Sequence, residues 1–132
     1  MNTQKIIKGP EALLDINGEL KQSGWAPQPV LDANLENSRF YKMRAFQKMR
    51  MKVWDYYAIT TPTHFFSFTV SDIGYLGMVF AYGIDFSSGA YKEQTLALPF
   101  AAGVTLPRNS TAGVTEYSGK GVSLRFSAEP GA

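Results

Sequence analysis

The sequence has 132 residues, of which 45% are hydrophobic, 14% are aromatic and 18% are charged. It contains no cysteine, which excludes disulfides, thiolate nucleophiles and cysteine-ligated metal or iron–sulfur sites. The net charge of +2 is too small to predict a polyanionic partner by itself. The N-terminus has no apolar signal region, and no apolar run approaches the roughly 18 residues of a membrane-spanning helix. We therefore expect a cytoplasmic protein.

The N-terminal residues 1–33 are predicted to form a strap and a hairpin, ahead of an antiparallel β domain over residues 34–132. The hairpin signal is Asn17-Gly18, which stands between two short arms that carry apolar residues. Asn-Gly supplies the two positive-φ residues of a type I′ turn, so this turn type is expected here.

Residues 34–52 predict one amphipathic helix with Ser38 as its N-cap. Its apolar stripe consists of Phe40, Met43, Phe46 and Met49. The segment also holds six of the thirteen basic residues, namely Arg39, Lys42, Arg44, Lys48, Arg50 and Lys52. We favour a helix that packs this stripe on the β domain, and we expect no nucleic-acid partner. A peripheral membrane contact of the basic side is the alternative.

Residues 53–86 predict three consecutive strands, each with two distinguishable faces. The third strand is the clearest, because bulky and small residues alternate along it. Its bulky face comprises Leu76, Met78, Phe80, Tyr82, Ile84 and Phe86, and its small face comprises Tyr75, Gly77, Val79, Ala81, Gly83 and Asp85. We expect the bulky row to be core or cavity wall. The alternating glycines favour a bend or a close approach to the backbone.

A fourth strand that ends at Pro99, a long loop over residues 99–112 and a final hairpin around Gly119-Lys120-Gly121 complete the pattern. These six strands are fewer than the roughly eight of a closed, ligand-holding barrel. We therefore expect an incomplete barrel that belongs to the N-terminal half of a longer protein. Self-association that covers the open edges is the alternative.

Six segments carry a resemblance to a known family. They are Pro10–Leu20, GWAPQP at 24–29, KVWDYYAIT at 52–60, FTVSDIGYLG at 68–77, LPRNSTAG at 106–113 and YSGKGVSLRF at 117–126. Their order and spacing resemble the N-terminal half of the family called domain of unknown function 2804. This chain has Tyr57 where the family often has Trp, and Ser71 where it tends to have Ala. Members of the family are longer, which again implies a fragment.

The same family is distantly similar to the lipocalin-like double-barrel carotenoid hydratases of the hydroxyneurosporene type. The resemblance therefore implies an all-β, lipocalin-like antiparallel meander or partial barrel, preceded by the one helix. It also implies a large apolar interior of lipid or isoprenoid size. It implies no known reaction.

Three residues are the catalytic candidates: Asp55, Asp72 and His64. Burial beside an apolar cavity disfavours a charged carboxylate, and an acid catalyst for hydration or isomerisation of a prenyl-type ligand can be made in this way. Asp85 is a further polar position in the same stretch. We favour structural roles instead, with Asp72 capping its turn, Asp55 paired with a lysine or arginine, and His64 solvated.

The ligand-binding candidates are aromatic, apart from one arginine. They are Trp54, Tyr57, Tyr75, Phe80, Tyr82 and Arg108. Arg108 is interpreted either as a clamp for a ligand carboxylate or as the partner of an acid at the barrel rim. With one histidine, no cysteine and no phosphate-binding loop, we expect neither a metal nor a cofactor. The leading hypothesis is a domain that binds an apolar small molecule, and the alternative is a cofactor-independent hydratase or isomerase.

Overall fold

Antiparallel β-sheet is the main secondary structure in the computed structural model of the protein, which describes residues 4–7, 12–29, 32–39, 43–109 and 111–130. The chain divides into two units, which we call the N-terminal unit and the β unit. The N-terminal unit contains residues 1–48, 107–113 and 127–132, and the β unit contains residues 49–106 and 114–126.

The first sheet is a meander of four strands in chain order. They are β1 (Val53–Thr60), β2 (His64–Asp72), β3 (Leu76–Asp85) and β4 (Tyr91–Pro99). Each strand pairs antiparallel with the next, and the alternating sequence pattern together with the Pro- and Gly-containing turns accounts for their bounds. The predicted antiparallel meander is confirmed.

The second sheet contains β5 (Val104–Thr105), β6 (Gly113–Gly119) and β7 (Val122–Ala128) in that order. The predicted loop over residues 99–112 thus contains a short strand, in which Val104 lies opposite Tyr117. The predicted turn at Gly119-Lys120-Gly121 is confirmed. Lys120 and Gly121 both have positive φ (49° and 76°), as a type I′ hairpin requires. In the part of the chain that the structure describes, the strands form these two sheets and not a closed barrel.

The core of the β unit lies between the two sheets. Val70 on β2, Val79 on β3, Leu98 on β4 and Tyr117 on β6 are all buried and contact one another. Val70 and Val79 are direct cross-strand neighbours, so they share a face of the first sheet. We call this face, which packs on the second sheet, the inner face.

The bulky row of β3 was expected to be core or cavity wall, and it does not form the core, which lies on the small face. Val79 and Gly77 are buried there, whereas Met78, Phe80 and Tyr82 on the outer face stay half-buried. Tyr82 and Ile84 of the bulky row do line a cavity. The small residues let other backbone approach: a Cβ on Gly77 would lie 2.6 Å from Ala101 Cα. Close approach to the backbone was one of the two consequences expected of the alternating glycines.

The predicted helix over residues 34–52 is much shorter in the structure. A 3₁₀ turn at Leu35–Asn37 is followed by Ser38 in an extended conformation, and α1 spans only Arg44–Arg50. Ser38 is therefore not its N-cap. Among the side chains of α1 that the structure describes, Gln47 is buried, at 5% exposure, and its Nε2 donates to the carbonyl oxygens of Leu35 (3.4 Å) and Glu36 (3.3 Å).

The apolar stripe expected on this helix is not buried. Met43, Phe46 and Met49 are 63%, 53% and 43% exposed, while Phe40 and Lys42 lie outside the described residues. A seven-residue helix has fewer than two turns, so it presents no continuous apolar face for packing. No helix in the described ranges is long and apolar enough to cross a bilayer.

The N-terminal unit contains the predicted hairpin, although its turn differs from the predicted type. Gly18 has φ +75°, whereas Asn17 is not among the residues with positive φ. The amide of Gly18 donates to Asp15 O (3.0 Å), and Asp15 Oδ1 accepts from the amides of Asn17 (2.8 Å) and Glu19 (2.9 Å). The aspartate thus stabilises a type I turn with a left-handed glycine after it, in place of the type I′ turn.

Two glycine substitutions test the close packing on the inner face of β3. Gly77→Ala places a Cβ 2.6 Å from Ala101 Cα and is expected to lower the free energy of unfolding by about 1–3 kcal/mol. Gly83→Ala places its Cβ closest to the Phe66 ring, at 3.2 Å, and this ring can shift, so we expect a smaller loss. Urea unfolding followed by circular dichroism measures both. Equal unfolding midpoints for the two variants contradict this account.

Candidate functional site

The inner face of the first sheet continues beyond the core as an open trough. The register places successive rows of residues side by side on β2, β3 and β4: Val70–Val79–Leu96, then Phe68–Ala81–Gln94, then Phe66–Gly83–Lys92. The first row packs in the core. The other two have a phenylalanine on β2, a small residue on β3 and a long polar residue on β4. The trough therefore follows β3.

The trough has a volume of about 500 Å³. Its lining residues are His64, Phe66, Phe68, Ala81, Tyr82, Gly83, Ile84, Asp85, Ala90, Lys92, Glu93 and Gln94. Since neighbouring strands lie about 4.8 Å apart, the backbones of β2 and β4 are separated by roughly 10 Å across it. This width suits an extended hydrocarbon or a small ring system.

Aromatic contacts fix the β2 side of the trough. Phe66 stacks on His64 with ring centroids 5.7 Å apart, and its ring also lies over Gly83. Phe68 contacts the ring of Phe126 at 5.6 Å, so it links the trough to the second sheet. Ala81, which has no bulky neighbour on its own strand face, forms the floor between these rings and β4.

Two titratable groups lie opposite each other at the end of the trough. His64 and Asp85 are cross-strand partners, and both are half-buried. His64 Nδ1 shares a hydrogen bond with Thr63 Oγ1 (2.9 Å), whereas Asp85 Oδ1 accepts from the amide (2.8 Å) and hydroxyl (2.7 Å) of Ser87. The Ser87 hydroxyl and then its amide hold the pKa of Asp85 well below its usual range. Asp85 therefore stays ionised and is not a proton donor at neutral pH.

Within the β unit, the Asp55 carboxylate accepts a hydrogen bond at the end of a chain of two hydroxyl groups. The Tyr57 hydroxyl donates to Thr115 Oγ1 (2.9 Å), and the Thr115 hydroxyl donates to Asp55 Oδ2. Thr115 on β6 is fully buried, so this chain joins the inner face of β1 to the second sheet. Asp55 was expected to pair with a lysine or arginine, and its partner is instead a threonine.

Asp72 caps its own turn, as we expected. Its Oδ1 accepts from the amide of Gly74 at 2.7 Å, and Gly74 has φ +89°. Of the three catalytic candidates, only His64 lines the trough. The structure therefore does not bring Asp55, Asp72 and His64 together in one site.

Three of the ligand-binding candidates lie on the outer face of the first sheet. Trp54 is 60% exposed there, and Phe80 contacts Tyr82 with ring centroids 5.5 Å apart. A hydrogen bond with Tyr56, followed by burial, raises the pKa of Tyr82 above its ordinary value. The outer face is thus an aromatic surface. Of these three residues, Tyr82 is also among those that line the trough, whereas Trp54 and Phe80 are not.

The other three candidates occupy different places. Tyr57 points inward and stacks on Phe126 with ring centroids 4.1 Å apart, while Tyr75 is 56% exposed in the turn before β3. Arg108 belongs to the N-terminal unit.

Arg108 pairs with acidic side chains, which was one of the two interpretations of this residue. It binds Asp32 in a forked arrangement (2.9 and 3.2 Å) and Glu36 through Nη2 (2.5 Å). The hydrogen bond from Arg108 is also the main reason why the pKa of Asp32 is lowered. With its guanidinium engaged by two carboxylates, Arg108 lies in an exposed ion-pair cluster.

Sequence reasoning missed the residues that form the trough itself, namely Phe66, Phe68, Ala81, Lys92 and Gln94. Alternation places Phe66 and Phe68 on one face of β2 and Ala81 on the small face of β3. The missing step was the register, which the short connections between the strands fix. Among the described residues, no three His, Cys, Asp or Glu side chains converge in a way that could hold a metal ion.

The hydroxyl chain between the sheets gives a stability prediction. Thr115→Val keeps the side-chain shape but leaves the Tyr57 hydroxyl and the Asp55 carboxylate without their partner. We expect a loss of about 1–3 kcal/mol in the free energy of unfolding, measured by urea denaturation. Tyr57→Phe should cost less, about 0.5–1.5 kcal/mol, because it removes one donor only. Thr95→Val, at an exposed site on β4, is the matched control, and a Thr115→Val effect no larger than this control argues against the network.

Comparisons with known proteins identify the family of the chain. No curated protein and no solved structure matches the chain. The sequence profile described as a domain of unknown function (DUF2804) matches residues 4–132, which is nearly the whole chain. The protein therefore belongs to the DUF2804 family.

Proposed function

We propose that the β unit binds an apolar small molecule of the lipid or isoprenoid class in the trough, in the manner of a lipocalin-like domain. The observation that carries this proposal is the trough along β3, about 500 Å³ in volume, with Phe66 and Phe68 on one side and Ala81 as its floor. Ligand sites of comparable volume are concave, mainly apolar and bordered by a few polar groups.

Continuity with the core supports an apolar occupant. The row Phe68–Ala81–Gln94 directly follows the row Val70–Val79–Leu96, so the trough begins where side chains are already shielded from water. A hydrocarbon that lies on Phe66, Phe68 and Ala81 extends this buried apolar surface. Burial stabilises such a complex by about 25 cal/mol per Å² of apolar area removed from water.

The proposal concerns binding and not catalysis. A hydratase or isomerase that uses an aspartate would need a protonated carboxyl group beside the ligand. Asp55 and Asp72 accept hydrogen bonds away from the trough lining, and Asp85 is held in its ionised form by Ser87. His64 is the one catalytic candidate among the lining residues, and its Nδ1 is engaged by Thr63.

A substitution on the floor of the trough tests the proposal. The neutral fluorophore N-phenyl-1-naphthylamine serves as the probe, and its emission rises when it leaves water for an apolar site. Ala81→Leu fills the space between Phe68 and Gln94, and we expect the affinity for the probe to fall about ten-fold or more. Fluorescence titration of the purified protein measures this affinity.

Two control variants locate the site. Ala97→Leu adds the same bulk on the opposite face of β4, and Trp54→Ala removes the most exposed aromatic side chain of the outer face of β1. Both should keep the affinity of the unmodified protein, with thermal unfolding confirming that each variant is folded. No uptake of the probe by the unmodified protein, or loss of uptake in Trp54→Ala but not in Ala81→Leu, overturns the proposal.

A further inference from the structure

The acidic side chains around the trough accept hydrogen bonds from neighbouring groups, whereas one cationic side chain there has no partner among the described residues. Asp85 accepts from Ser87 and from the amide of Ser88 (3.4 Å). The carboxylate of Glu93 accepts from the Tyr91 hydroxyl. Glu93 alternates with Lys92 along β4, so its side chain belongs to the outer face.

Lys92 is this cationic side chain. It lies on the inner face of β4, in the row Phe66–Gly83–Lys92, and it is exposed. Within the described part of the chain, its ammonium group has no hydrogen-bond or ion-pair partner. The trough thus joins an apolar floor to an available positive charge at its outer end.

We propose that the molecule bound in this trough is an amphipathic anion: a single apolar chain that ends in a carboxylate, which pairs with Lys92. This inference rests on the proposed function and names the chemical class of its ligand. The apolar chain lies toward Phe68 and Ala81, next to the core, and the carboxylate lies at the level of Lys92.

Distances along the sheet support this orientation. Rows on one face recur every two residues, or about 7 Å. The row of Lys92 is the second beyond the core row of Val79, so a carboxylate at Lys92 leaves about 14 Å of apolar face for the chain. The Asp85 carboxylate at the trough end stays ionised, but it accepts from the hydroxyl and amide of Ser87, and these donors partly screen its charge from an incoming anion.

The test compares two competitors that differ only in their polar end. Dodecanoate and dodecan-1-ol are each used to displace N-phenyl-1-naphthylamine from the purified protein. We expect dodecanoate to displace the probe at a concentration about 3- to 10-fold lower than dodecanol, in line with one solvent-accessible ion pair. Raising the salt concentration should reduce the advantage of dodecanoate and leave dodecanol unchanged.

Substitutions of Lys92 identify the partner of the carboxylate. Lys92→Gln should remove the preference for dodecanoate, whereas Lys92→Arg should retain it. Lys52→Gln makes the same charge change away from the trough lining and should leave the preference intact. Neither position is buried, so each variant is expected to fold, and thermal unfolding checks this.

The outcomes separate this inference from the function on which it rests. If the probe binds and the two competitors act at equal concentrations, the carboxylate inference is wrong while binding of an apolar molecule stands. A preference that persists in Lys92→Gln also overturns the role of Lys92. If the unmodified protein takes up no probe, both proposals fail.

Discussion

The size of the side chains on the inner face of β3 is the constraint on which the β unit depends. Gly77 is small enough for Ala101 to lie against its backbone, and Val79 fills the space beneath Tyr117. Farther along, Ala81 leaves the same face open, and the Phe66 ring lies over Gly83. One strand face therefore produces a packed core at one end and a trough at the other, without any change in the pairing of the strands.

The hydroxyl chain between the sheets shows how the unit accommodates polar groups beside this core. Asp55 and Tyr57 point from β1 toward the second sheet, where a buried charge or hydroxyl is unfavourable unless it has a partner. Thr115 satisfies both, because its hydroxyl accepts from Tyr57 and donates to Asp55. The stacking of Tyr57 on Phe126 adds an apolar contact at the same place, so position and orientation of the sheets are fixed by two kinds of interaction.

Much of the fold follows from local sequence, but the choice of the buried face does not. Alternation and turn residues gave the four strands of the meander and the hairpin around Lys120. They did not identify the core face of β3, since both of its faces are apolar and bulk alone favoured the row that contains Phe80. That choice depends on which face Tyr117 reaches, a contact that is distant in sequence.

The prediction of a long helix failed for a related reason. Met43, Phe46 and Met49 have helical spacing, yet these side chains are exposed and Gln47 is buried. The trough was also hidden, because Lys92 and Ala81 become neighbours of Phe66 and Phe68 only through the register.

The positions of the two tryptophans have a consequence for spectroscopy. Trp54 is 60% exposed and Trp25 is 46% exposed, and neither belongs to the lining of the trough. An indole that is already in contact with water changes its emission little when the chain unfolds. Intrinsic tryptophan fluorescence should therefore be a weak reporter both of unfolding and of events in the trough. A tryptophan introduced at Phe68, between the trough and the second sheet, would give the β unit an optical signal of its own.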